Sequence, residues 1–120
     1  EVLDIHKLQI DRHGGTHGLR DVRLLESALA VPQSSFGGEF LHRSLFEMAA
    51  AYAYHIAENQ PFLDGDKRAA LATALIFLDI NVNPVDDPGG ELYDAMMEVA
   101  AKRIDKKGLA DIFKKLAEKS

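Results

Sequence analysis

Apolar positions along the chain recur every three to four residues and seldom every two, so the pattern predicts helices nearly throughout. Val2, Ile5 and Leu8 mark one stripe that runs out at Gly14-Gly15, where glycine accepts the left-handed backbone of a helix end. Asp21 is placed to cap a second helix with Val22, Leu25 and Leu29 inward. Pro32 ends it by pushing the preceding residue out of helical geometry. A loop with Ser34, Ser35, Gly37 and Gly38 follows. Ser44 then caps a third helix that presents Leu45, Met48, Ala49, Tyr52, Ala53 and Ile56 on one face and runs to about Glu58.

Asn59 to Asp66 carries Pro61 and Gly65 and cannot continue that helix, whereas the chain from Lys67 is strongly helical again. From Ala69 to Ile80 it is apolar nearly all round, the signature of a central helix, about 67–81, buried on several sides. Asn83-Pro84 to Pro88-Gly89-Gly90 reads as a turn-rich connector with a short extended piece at Pro84 to Asp86. The next helix turns Leu92, Ala95, Met96 and Val99 inward. The last spaces Leu109, Ile112, Phe113 and Leu116 at i, i+3, i+4 and i+7, and its Lys114, Lys115 and Lys119 suit the negative end of a helix dipole. The expected fold is all-α, a compact bundle around the central helix, with one domain spanning residues 1–120. No internal repeat or low-complexity segment interrupts it.

Composition narrows the function classes. At 47% apolar and 28% charged the chain is an ordinary globular sequence rather than a disordered one. It has no cysteine, which removes thiolate metal sites and disulfides and fits a cytoplasmic protein. A net charge of −5 argues against direct nucleic-acid binding or an anionic membrane surface, and the apolar run at 69–80 is short of the ~20 residues a bilayer crossing needs. The chain opens at Glu1 with no signal-like succession, and a few natural residues before it are expected to be missing.

One place breaks a local rule. Lys67-Arg68 sets two cations at the start of the most buried helix, facing the positive end of its dipole, which costs a few tenths to ~1 kcal/mol each. A bound phosphate would compensate, because exposed backbone N–H groups after Gly65 and two cationic side chains form an anion site in outline. Asp64 can then hold Mg²⁺ against that phosphate, since magnesium takes one or two carboxylates plus phosphate oxygens. The plainer reading stands beside it: Asp66 is a good N-cap residue, and Asp64-Gly65-Asp66 can be a turn and cap whose carboxylates Lys67 and Arg68 neutralise.

Asn59-Gln60-Pro61-Phe62-Leu63-Asp64-Gly65-Asp66-Lys67-Arg68 resembles the signature loop of the Fic/Doc family, in its death-on-curing toxin branch. His6, Gly14-Gly15, Gly18-Leu19-Arg20-Asp21, Leu24 to Leu29, Pro32 and Phe36-Gly37-Gly38 resemble the family's upstream landmarks, and Ala49 to Ile56 and Phe77-Leu78 its flanking helices. The resemblance implies a helical toxin of a toxin–antitoxin pair that uses ATP and Mg²⁺ as a protein kinase on elongation factor Tu. Its cognate antitoxin would be a small DNA-binding protein whose C-terminal segment folds against the toxin. Where Fic relatives have a second loop glycine this chain has Lys67, which favours phosphate transfer over AMP transfer. By the same resemblance Asp64 is the metal ligand, Lys67 and Arg68 hold phosphates, Gly65 lets the backbone approach them, and Phe62 anchors the loop.

Two positions depart from the family. Gln60 stands where its loop opens with the histidine that takes the proton from the attacking hydroxyl, and glutamine cannot accept that proton. Loss of a general base typically costs about 10² to 10⁴ in rate. Asp66 stands where the family usually has asparagine, and its carboxylate is expected to occupy N–H groups meant for phosphate and to repel ATP. His6, His13, His17, His42 and His55 show no metal-ligand spacing and are left outside the catalytic set. The expectations are therefore an impaired kinase, a catalytically silent binding module, or an AMP transferase.

Overall fold

A computed structural model of the chain describes residues 2–33, 35–36, 39–40, 44–81, 85 and 90–118. Among the described residues are six α-helices: α1 (Val2–His13), α2 (Val22–Ala30), α3 (Leu45–Asn59), α4 (Asp66–Ile80), α5 (Glu91–Ala100) and α6 (Lys106–Glu118). The fold is all-α. A 3₁₀ turn (Val31–Gln33) follows α2, and two-residue strands β1 (Ser35–Phe36) and β2 (Glu39–Phe40) pair antiparallel within the segment expected as loop, Ser35 opposite Phe40. Ser34, Gly37, Gly38, His42, Lys119 and, apart from Val85 and Gly90, the connector from Asn83 onward lie outside the described residues.

The caps act as their residue types dictate. The Asp21 carboxylate accepts from the Arg23 N–H at 2.9 Å and the Ser44 hydroxyl from the Glu47 N–H at 3.0 Å, each satisfying an amide at a helix start. α3 and α4 make the most intimate pair, α6 and α2 pack on α3, and α1 packs on α4. Close approach follows from small side chains: Ala49, Ala50, Ala51 and Ala53 of α3 and Ala69, Ala70 and Ala74 of α4 have no exposed surface. Ile56, Leu78, Leu92, Met96, Leu109 and Phe113 fill the space between helices.

Three expectations need correction. In α1 the buried line is His6 and Ile10, with Val2 half-buried, while Leu8 is exposed, because the helix turns a hydrogen-bonded histidine inward instead of a third aliphatic. In α2 Val22 is exposed and Ala28 is buried, so the inner face is Leu25 and Ala28 with Leu29 at its edge. α4 begins at Asp66 and is not covered all round: Ile76 and Ile80 are 42% and 72% exposed, since no described helix packs across that side.

Candidate functional site at the α3–α4 loop

The site is the six-residue link between the two central helices, and it starts with a backbone outlier. Gln60 closes α3 in the left-handed region, φ 49° and ψ 57°, a conformation that L-residues other than Gly, Asn and Asp seldom adopt. Its N–H still donates to the Ile56 carbonyl. The Arg20 guanidinium grips the strained end from outside, Nε donating to the Gln60 carbonyl at 2.7 Å and Nη2 to the Asn59 carbonyl at 2.9 Å. Two carbonyls that a helix end leaves orphaned are thereby satisfied by one planar fork.

The segment before α2 binds the rest of the loop. The Arg20 and Asp21 N–H groups both donate to the Pro61 carbonyl, and the Leu63 N–H donates to the Gly18 carbonyl, so Leu19 and Phe62 face each other as a single antiparallel bridge. Phe62 is 2% exposed and stacks parallel on the His6 ring, centroids 3.8 Å apart. His6 Nε2 donates to the Asp64 carbonyl at 2.6 Å. The Asp64 carboxylate is exposed; one oxygen accepts from the Thr16 N–H at 3.1 Å and the other from the Gly65 N–H at 2.9 Å. Gly15 has to be glycine for this approach, because a Cβ there would sit 2.7 Å from the Asp64 carboxylate.

Gly65, at φ 76°, is the N-cap of α4, and among the described residues no side chain caps the helix. Asp66 is therefore the first helical residue rather than the cap. Its carboxylate turns back into the loop and accepts from the Phe62 N–H at 3.0 Å. The expectation that Asp66 occupies the helix N–H groups is corrected accordingly: among the described residues no side chain accepts from them. Burial pushes the Asp66 carboxyl above its ordinary range; the Phe62 N–H and the charges of His6, Arg20 and Lys67 oppose that shift only in part. Arg68 lays its guanidinium over the Tyr93 ring of α5, 4.5 Å from the centroid, a contact worth about 0.5–1 kcal/mol at an exposed site that offsets part of its unfavourable place at the helix start. Lys67 is half-buried beside it.

The structure thus brings Gln60, Phe62, Asp64, Gly65, Asp66, Lys67 and Arg68 into one turn and helix start. Sequence reasoning missed three supports, His6, Thr16 and Arg20, because each reaches the loop from at least 39 residues away. For His6 and Arg20 the one signal available was their place among the upstream landmarks; Thr16 had none. His55, outside the catalytic set, lies 3.2 Å from Lys106 Nζ, and burial holds that amine below the ordinary lysine range.

The Fic/DOC family model matches residues 1–78, which takes in α1 to α3, the loop and nearly all of α4. The chain belongs to the Fic/DOC family. It is 33% identical over 117 residues to the "Protein kinase doc" of Escherichia phage P1, covering 97% of this chain and 90% of that protein. It is 36% identical over 99 residues to the "Toxin Doc" of Mycolicibacterium smegmatis, covering 81% and 76%. The Fic/DOC match includes both halves of the site, the loop and the segment that holds it. Tyr93, the ring under Arg68, lies beyond it.

Proposed function

We propose that this chain is the toxin of a toxin–antitoxin pair, acting in the cytoplasm, whose α3–α4 loop holds ATP with Mg²⁺ and serves phosphate transfer to a hydroxyl of a translation factor such as elongation factor Tu. The observation that carries the reading is the start of α4: a helix N-terminus without a side-chain cap, entered through a left-handed glycine, with the Asp64 carboxylate presented beside it. Amide donors and the helix dipole favour a phosphate there. Among the described residues no group of three or more carboxylate and imidazole side chains is arranged to hold a metal by itself. A single carboxylate whose two oxygens each accept one backbone N–H instead suits magnesium that draws its other ligands from phosphate and water. Bound there, the ion supplies charge neutralisation for the phosphates.

The residues of this chain divide the remaining work. The α4 amides and Lys67 hold the phosphates, Arg68 joins them when it leaves Tyr93 or binds from that stacked position, and Phe62 and His6 keep the loop on the core. In transfer the attacking hydroxyl oxygen forms a bond to the γ-phosphorus, the bond to the β–γ bridging oxygen breaks, and ADP departs. The hydroxyl proton needs an acceptor, and Gln60 offers only hydrogen bonds. The reaction is accordingly slowed by about 10² to 10⁴ relative to a chain with histidine there. A second reading, a silent binding module, is favoured by the same Gln60 together with the charge of Asp66.

The antitoxin is the expected partner, and a groove of about 390 Å³ lined by Val2, Ile5, Leu29, Ile76, Phe77 and Ile80 offers its folding segment an apolar seat. The test restores the family residues. Gln60→His with Asp66→Asn, incubated with elongation factor Tu and ATP labelled at the γ-phosphate, transfers label, while the parent chain does so at least about a hundredfold more slowly. A double variant that transfers nothing overturns the kinase reading in favour of the binding module. Transfer from α-labelled ATP instead identifies AMP transfer.

A further inference from the structure

We propose that His6 is a positioning residue for Asp64: by donating Nε2–H to the Asp64 carbonyl it locks the Asp64–Gly65 peptide plane, and through that plane it fixes the direction of the Asp64 carboxylate. The inference deepens the proposed function and rests on it for the identity of the bound group, ATP with magnesium. The chain of contacts is continuous. His6 belongs to α1 and is 4% exposed, so its ring is a fixed donor against which the loop is seated, with Phe62 of the loop stacked upon it. Its Nε2 must carry the proton, because a carbonyl only accepts.

The peptide that His6 holds ends at Gly65, the residue with least resistance to a peptide flip. In the observed orientation the carbonyl points inward to His6 and the Gly65 N–H points to one carboxylate oxygen of Asp64, while the Thr16 N–H holds the other. Reversal of the plane would leave the buried His6 donor without its acceptor and withdraw the Gly65 N–H from the carboxylate. One buried imidazole therefore decides where an exposed carboxylate points. A packing histidine would be replaceable by any ring of similar size; a positioning histidine is replaceable only by a side chain that returns the donor to the same place.

The experiment separates these roles in the chain as it stands. His6→Phe keeps the ring and removes the donor. His6→Gln loses the stack but its amide reaches the place of Nε2, whereas His6→Asn is one methylene too short and stands in for His6→Phe should that variant fail to fold. ATP affinity is measured by calorimetry with and without magnesium chloride. The magnesium-dependent gain should fall by about tenfold or more in His6→Phe or His6→Asn, the range seen when a group orienting a metal ligand is lost, and should return in His6→Gln. Affinity without magnesium should not change. A gain retained in His6→Phe, or lost equally in His6→Gln and His6→Asn, overturns the proposal.

If the unaltered chain shows no magnesium-dependent ATP binding, the ATP reading fails and His6 is judged by the amides alone. The Thr16 and Gly65 amide protons, followed by hydrogen exchange in labelled protein, should exchange faster in the variants without the donor and at the parent rate in His6→Gln. Unchanged exchange in His6→Phe or His6→Asn refutes the lock.

Discussion

Asp66 offers the sharpest test of the site's energetics, because two substitutions separate its charge from its hydrogen bond. Asp66→Asn keeps an oxygen for the Phe62 N–H and removes the charge. Asp66→Ala removes both and leaves a partly buried N–H without its acceptor. An unsatisfied buried donor costs about 1–3 kcal/mol. For a chain of this length each kcal/mol corresponds to roughly 4 °C in Tm, so the Ala variant should melt roughly 4–12 °C below the Asn variant. Neither substituted side chain titrates, so that gap should not depend on pH.

The gap between Asp66→Asn and the parent should behave differently. Burial raises the Asp66 carboxyl above its ordinary value of 3.8 in the folded chain, so folding favours the protonated form. The stability linked to this group is present in full below the ordinary value and is withdrawn as pH rises through the raised one. Asp66→Asn should therefore be the more stable protein at neutral pH, and its advantage should close as the pH falls to the ordinary carboxylate range. Thermal unfolding followed by circular dichroism between pH 3 and pH 7 measures both gaps. An Asn advantage that stays constant with pH would show that Asp66 is not desolvated, and an Ala variant as stable as the Asn variant would show that it is not the acceptor for Phe62.

Other substitutions probe the neighbouring features. Gln60→Gly relieves a left-handed residue of roughly 1 kcal/mol of strain and should raise Tm by about 4 °C, read by the same melts. Ile80→Asp alters a largely exposed residue and should change stability by no more than about 0.5 kcal/mol, yet it should abolish binding of an antitoxin C-terminal peptide measured by calorimetry.

The helices were legible because each buries one face at a fixed spacing: α5 buries Leu92, Ala95, Met96 and Val99 as its spacing predicts, and α6 buries Leu109, Phe113 and Leu116, with Ile112 half-buried at the edge and Ala110 added. Local caps were legible too, since Asp21 and Ser44 act on amides two and three residues away. What escaped was decided at long range. Nothing near His6 announces that its ring will be buried, because its acceptor and its stacking partner lie 58 and 56 residues later. The aliphatic spacing Val2-Ile5-Leu8 therefore looked the better inner stripe. Asp66 looked like an N-cap for a similar reason: sequence names the carboxylate, but only the left-handed Gly65 and the waiting Phe62 N–H decide which way it turns.

The loop that carries the candidate chemistry is not rigid by its own bonds. Its carbonyls at Gln60, Pro61 and Asp64 and its N–H at Leu63 are satisfied from Arg20, Asp21, His6 and Gly18, so residues 6–21 act as the outer half of a mould. A left-handed Gln60 with an ordinary side chain persists only where its surroundings over-determine it. The Arg20 fork and the Pro61 contacts supply that determination through backbone carbonyls alone, without using the Gln60 side chain. The left-handed backbone at position 60 is thus held by Arg20, Asp21 and Gly18 independently of the side chain it carries. Under the proposed kinase reading, Gln60→His alone should then raise label transfer from γ-labelled ATP above that of the parent chain, and a single variant with no gain would refute this reasoning.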